Sequence, residues 1–302
     1  MLNDCAGVGL NLKRGLEAQG IQVTLYYFGT DPYFRYEGMR VPKRGPSLMW
    51  FLVKEVAKYD VIHYHQGPVQ PNIPVPVDYV LAKATHKKVV VHYHGEIREY
   101  GGKKYRMLSH RLMNNNPTVL VPTPDLLEWV PQAIWFRNPV DSTVFTPKHV
   151  DHGSQIRILH PSTQEWRKGT KHVEQVTQKL QAKGHNIELK IIGQRHPVQH
   201  SMMPEYYRWS DIVIDQLEEG FYGITSVEAM MCGRPVLCYW KFHKFDEPPF
   251  LNTSAEELED HLLMLVNSSK LRMELGEVGR KWAVTHHDIS VSTKRLLEIY
   301  GE

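Results

Sequence analysis

Three kinds of residue in this chain could do chemistry: one helical glutamate, a basic pair and two pairs of histidines. The glutamate lies in Asp211–Trp240, which reads as strand, loop, helix, turn and strand. Ile212, Val213 and Ile214 are a β-branched run of the kind buried in parallel sheets. Gly220 and Gly223 bracket a loop. A helix is predicted from near Thr225 to Met231, with Gly233 at the left-handed cap position and Pro235 ending it. The free N–H groups of Gly223, Ile224 and Thr225 then face the carboxyl end of the sheet, where open α/β folds bind ligands. Glu228 lies one turn further on. Thr225-x-x-Glu228 also fits a capping box, which needs no ligand. Arg167 and Lys168 precede another predicted helix that starts at Thr170; they read either as an anion site or as exposed loop charges.

His63 and His65 share one face of a predicted strand, and His92 and His94 share one face of another. Two His-x-His pairs at strand ends could bind a metal. No acidic spacing or cysteine pair completes a ligand set, so no metal site is expected. His63 and His92 read as core or hydrogen-bonded histidines.

The elements that must position these groups alternate. A helix carrying Leu10, Leu12 and Leu16 ends at Gly20, and a strand is expected over 21–28. Residues 29–47 read as loop, 47–58 as helix, and 68–76 as a proline-rich loop. Strands are expected at 59–65, 87–94, 116–122, 133–136, 156–161 and 187–192, with helices at 170–180, 205–210, 256–266, 270–285 and 289–300. Such alternation predicts an α/β protein with parallel sheets. A length of 302 residues suggests two domains. Polar residues 149–155 mark the boundary. The domains are expected at 1–148 and 149–288, with 289–302 a terminal helix returning to the first. Almost nothing precedes Gly7, so the first domain is expected to be short at its N-terminus.

Composition excludes several classes. Hydrophobic residues make up 42% and charged residues 23%, which is ordinary for a globular chain. A net charge of +3 does not by itself argue for nucleic acid. Three cysteines (Cys5, Cys232 and Cys238) give no disulfide framework, and a reducing compartment is expected. No long apolar span or signal peptide is seen, so a cytoplasmic location is expected, compatible with peripheral membrane contact.

Gly220–Val236, GFYGITSVEAMMCGRPV, resembles the donor-site motif of retaining GT-B nucleotide-sugar glycosyltransferases (glycosyl transferases group 1). That motif is Glu-x7-Glu followed by Ala-Met-Ala-x-Gly-x-Pro-Val. Glu228 matches the second glutamate. The first falls on Gly220, with Glu219 one residue early. The chain is similar to a branch in which Asp215 and Gln216, then Gly220, Tyr222 and Gly223, replace the usual start. Further resemblances are Gly7-x-Gly9 before the first helix, His94-Gly95, Arg137-Asn138-Pro139-Val140-Asp141 with Phe145 and Pro147, and Lys168-Gly169.

The resemblance implies two Rossmann-like domains facing each other across a cleft. It implies transfer of a sugar from a UDP- or GDP-linked donor to a hydroxyl, with retention of configuration and without a metal or a cofactor beyond the donor. Lys168 would meet the diphosphate, with Arg167 beside it, and Glu228 the ribose. Gly193 and Gln194 would contact the base, and Tyr222, Gly223, Ile224 and Thr225 would line the donor. Gly7 and Gly9 would face phosphates and acceptor, and His94 the sugar. The acceptor, a glycan, lipid-linked glycan or small molecule, would meet residues near Gln66, Glu96 and Arg98. Two alternatives stay open: a nucleotide-sugar-binding protein with little or no activity, and an enzyme that glycosylates a polymer such as nucleic acid.

Overall fold

A computed structural model describes residues 1, 6–27, 33–34, 38–41, 46–65, 77–95, 115–148, 153–245 and 247–301. Gln66, Glu96, Arg98 and Cys5 lie outside the described residues. The chain forms two compact units, Met1–Pro139 with Ile289–Glu302, and Val140–Asp288. Among the described residues no helix is long and apolar enough to cross a membrane.

The first unit holds two parallel sheets. β1 (Tyr26–Tyr27) pairs with β2 (Met39–Arg40). β3 (Val61–His65), β4 (Lys88–His92), β5 (Val119–Val121) and β6 (Ile134–Trp135) form a four-stranded sheet in that order. Valine and isoleucine dominate these strands because both sheet faces are covered. The strand expected over 21–28 is a ladder only at Tyr26–Tyr27, and its partner lies in the stretch read as loop. Strand geometry persists where a neighbour supplies hydrogen bonds, and here the Met39 and Val41 N–H groups donate to Leu25 O at 2.9 Å and Tyr27 O at 3.1 Å. Backbone pairing also runs through Met1, whose amine donates to Thr24 O at 2.8 Å and whose carbonyl accepts from the Tyr26 N–H.

Helices α1 (Val8–Ala18), α2 (Pro46–Val56) and α3 (Val77–Ala84) belong to the same unit. So does the terminal helix, Ile289–Tyr300, whose Leu296 joins Leu12 and Leu16 in one buried cluster. Each such leucine contributes roughly 1.5–3 kcal/mol by burial. Gly15 makes the close approach: a Cβ there would fall 2.0 Å from Thr293 Oγ1 and 2.5 Å from Ile289 Cγ2.

The second unit is a five-stranded parallel sheet of β7 (Ile156–Ser162), β8 (Ile187–Gly193), β9 (Ile212–Ile214), β10 (Val236–Cys238) and β11 (Leu251–Asn252). The strand order is β11-β10-β9-β7-β8. The chain steps outward from β7 to β8 and then crosses back to β9. The loops after β7 and β9 therefore leave in opposite directions, and their divergence opens a crevice at the carboxyl ends of the strands. The helices are α4 (Glu165–Lys168), α5 (Thr170–Ala182), α6 (Met203–Trp209), α7 (Ile224–Met231), α8 (Leu258–Asn267) and α9 (Ser269–His287), followed by α10, the terminal helix.

The boundary expected at 148 lies at Pro139 in the structure. Val140 donates to His287 O at 2.8 Å, Phe145 is buried beside Tyr207, and Arg280 donates to Phe145 O at 3.2 Å. Packing therefore ties 140–148 to the second sheet, although its composition continues that of the first domain.

Candidate functional site

The crevice of the second unit gathers most of the predicted residues. Lys168 ends α4, directly after the loop that follows β7. Its Nζ donates to Asp215 Oδ1 at 2.7 Å, to Pro161 O at 3.0 Å and to Thr225 Oγ1 at 3.3 Å. Asp215 follows β9, is fully buried, and accepts from the Gly223 N–H at 3.1 Å and the Ser226 hydroxyl at 2.7 Å. Burial alone would raise the Asp215 carboxyl pKa. The Lys168 ammonium, then the hydrogen bonds, outweigh burial and hold it below the usual carboxylate range. One buried acid thus fixes the lysine and the start of α7 together.

Helix α7 begins at Ile224, one residue before the predicted start, with Gly223 as an extended N-cap that offers no side-chain cap. Its first N–H groups therefore lack a side-chain partner of the capping kind, next to a lysine. The capping-box reading fails, because Glu228 turns away from the helix end. Its Oε1 lies 2.5 Å from His200 Nε2 and its Oε2 accepts from Tyr207 OH at 2.8 Å. Burial works to lower the His200 pKa, but the Glu228 charge and hydrogen bond raise it overall. Each carboxylate oxygen keeps a further lone pair for a ligand hydroxyl.

Gly193, at the end of β8, has φ +124°, and a Cβ there would lie 2.3 Å from Ser162 O. Only glycine fits this approach. Gln194 N–H donates to Ser162 O at 2.8 Å, and the Gln194 side chain accepts from the Glu165 N–H at 3.3 Å. Arg167 pairs with Glu219 and donates to Gln164 at 2.9 Å. Lys168 is paired with a carboxylate too, but it alone of the two also reaches Thr225 at the start of the helix that carries Glu228.

Other predicted residues sit elsewhere. Tyr222, expected to line the donor, has its side chain in the core: its OH is 3.1 Å from His287 Nε2, and its ring packs on Trp240 and Trp282. An aromatic pocket one strand away outcompetes the crevice for this ring. Gly9 is the second residue of α1 rather than part of a turn, whereas Gly7 caps that helix with φ +74°. Gly7, Gly9 and His94 belong to the first unit. His94 is buried, with Nε2 3.0 Å from His65 Nδ1, and burial lowers its pKa to about 3. The two His-x-His pairs converge on one face: one nitrogen each of His63, His65 and His92 lies within 4.8 Å of the others.

Sequence reasoning missed His200 and Tyr207, which hold Glu228, and His160, whose Nδ1 and Nε2 contact Ile214 O at 2.8 Å and Thr170 Oγ1 at 2.9 Å. No spacing signal connects His200 or Tyr207 to Glu228. For His160 the signal was an imidazole directly after the apolar pair Ile158–Leu159 in the same strand.

Two α/β units with parallel sheets are the architecture of the GT-B fold, and solved structures of that fold match nearly the whole chain. They include a sucrose-phosphate synthase from Thermosynechococcus elongatus (15% identity, 99% of this chain and 94% of that one, TM-score 0.68). Anabaena Alr3699/HepE in complex with UDP and glucose matches at 13% identity, 100% and 98% coverage and TM-score 0.68. An alpha-glucosyltransferase in complex with UDP and a 13-mer DNA matches at 15%, 98% and 95%, and 0.69. The model of Glycosyltransferase Family 4 matches residues 8–141. No curated protein sequence matches significantly.

Proposed function

We propose that this protein transfers a sugar from a nucleotide-sugar donor to a hydroxyl acceptor, with retention of configuration. The observation that carries the reading is Lys168 Nζ, 3.3 Å from Thr225 Oγ1 at the N-terminus of α7, with Glu228 one turn along the same helix. Breaking a sugar–phosphate bond leaves extra negative charge on a diphosphate, which prepositioned positive potential stabilises. Lys168 and the N–H groups of Ile224 and Thr225 supply that potential, and the sequence carries no Asp-x-Asp for a divalent ion to take that role. Glu228 accepts from the ribose hydroxyls in a charge-assisted bond. Gly193 and Gln194 flank the base. The leaving phosphate takes the acceptor proton in a front-face attack, so no protein nucleophile is required.

UDP is the first nucleotide to test, because HepE and the alpha-glucosyltransferase are complexed with it. The experiment is release of free UDP or GDP from a panel of donor sugars, with glycans, small-molecule alcohols and duplex DNA as acceptors. Turnover that falls sharply in Glu228→Ala while the variant stays folded supports the reading. Binding without turnover would favour a nucleotide-sugar-binding protein, and unchanged turnover would remove Glu228 from the site.

A further inference from the structure

Three histidines of the first unit are buried with nitrogen atoms that nothing among the described residues satisfies. His63 and His65 share one face of β3, and the register sets His92 of β4 opposite His65. None is more than 1% exposed. His63 Nδ1 contacts Tyr300 OH at 2.7 Å, and His65 Nδ1 contacts His94 Nε2 at 3.0 Å. The Nε2 atoms of His63 and His65 and both ring nitrogens of His92 are buried without a partner among the described residues. One such dry polar atom costs ~1–3 kcal/mol, so four in one cluster require an explanation. One nitrogen from each ring lies within 4.8 Å of the others. A cavity of about 350 Å³, lined by His63, Tyr300 and Met1 among others, borders the cluster at His63.

We propose that His63, His65 and His92 bind one divalent transition-metal ion, with zinc as the reference ion. Three imidazoles without a carboxylate suit zinc, cobalt or nickel and disfavour magnesium and calcium, which require oxygen ligands. Tyr300 and His94 hold the outer nitrogens of two ligands, the arrangement by which second partners orient metal-bound imidazoles. Zinc–nitrogen bonds are about 2.0–2.1 Å, so the donors draw inward on binding. The rings of His63 and His65, parallel within 1° at 4.6 Å, tilt toward the shared ion. The ion pins the carboxyl ends of β3 and β4 and, through Tyr300, the terminal helix. This role is independent of sugar transfer.

The full chain, stripped with a chelator and dialysed against zinc or cobalt, tests the proposal by elemental analysis and by the visible absorption of the cobalt form. We expect one ion per chain, a melting temperature raised by zinc and not by magnesium, and loss of the ion in His65→Gln/His92→Gln. Tyr300→Phe keeps the stoichiometry and weakens affinity ~10–100-fold. Zinc uptake unchanged in the double variant, as capture by exposed histidines such as His172 and His243 would give, overturns the proposal. Should the double variant not fold, wild-type protein decides: a cobalt spectrum without the intense bands of a four-coordinate nitrogen site overturns it.

Discussion

Lys168 Nζ stands 2.7 Å from Asp215 Oδ1, and this carboxylate is also the anchor for the first turn of α7. The cation that would meet a diphosphate therefore has a structural duty as well. Lys168→Ala leaves Asp215 buried and unpaired. We expect a loss of about 3–5 kcal/mol in stability, the range for breaking a buried pair from one side, alongside the loss of transfer. Lys168→Met/Asp215→Asn removes both charges, so urea unfolding should show it to be more stable than Lys168→Ala while transfer stays low.

The same pair sets a pH dependence. The folded-state pKa of Asp215 is depressed, so its contribution is present above the unfolded value, near pH 4, and is lost as pH falls through the folded value. Unfolding free energies from pH 7 down to pH 3 should fall less steeply in the double variant than in wild type.

Tyr207 and His200 hold Glu228 in place, one at each carboxylate oxygen. Tyr207→Phe leaves Glu228 Oε2 one hydrogen bond short in the core, at roughly 1–3 kcal/mol, measurable by denaturation. The folded His200 pKa is raised, so its stabilisation is complete below about pH 6.5 and disappears as pH rises through the folded value. His200→Asn should flatten the stability profile above pH 6.5 and leave it lower below that.

His160 titrates in the opposite sense. Burial lowers its pKa to about 4, so its neutral form is the folded form. Stability from this group is present above about pH 6.5 and declines as pH falls toward 4, by about 3 kcal/mol in all. His160→Gln should remove that part of the decline, as read by unfolding at pH 7 and pH 4.5.

Gly193→Ala places a Cβ 2.3 Å from Ser162 O at φ +124°. We expect a loss of about 3 kcal/mol or more, from backbone strain and the clash together. Gly184→Ala, at φ +91° with nothing within 4 Å of the added Cβ, serves as the control and should cost less. Thermal melts of the two variants make the comparison.

Ile212–Ile214 and the terminal helix Ile289–Tyr300 were legible to the residue, because a β-branched run and an uninterrupted amphipathic period report on local structure. Lys168 and Glu228 were legible because a lysine before a helix and a glutamate one turn into another follow from short spacing. Asp215 as the link between them was not. Its partners lie 47 residues away at Lys168 and 8 to 11 residues away across a loop. His200 and Tyr207 reach Glu228 across 28 and 21 residues, and β2 pairs with β1 from within a stretch whose composition is that of a loop. The inward turn of Tyr222 was decided by tryptophans on β10's continuation and on α9, which no local pattern encodes.

Calorimetric affinities for UDP, UMP and uridine, in wild type and in Lys168→Met/Asp215→Asn, test the anion site at α7 most directly. Wild type should bind UDP at least about tenfold more tightly than uridine, as about 1.4 kcal/mol of phosphate recognition requires, and the ratio should collapse in the variant. An equal ratio in both proteins, or no preference for the diphosphate in wild type, would contradict the placement of the donor phosphates at Lys168 and the N-terminus of α7.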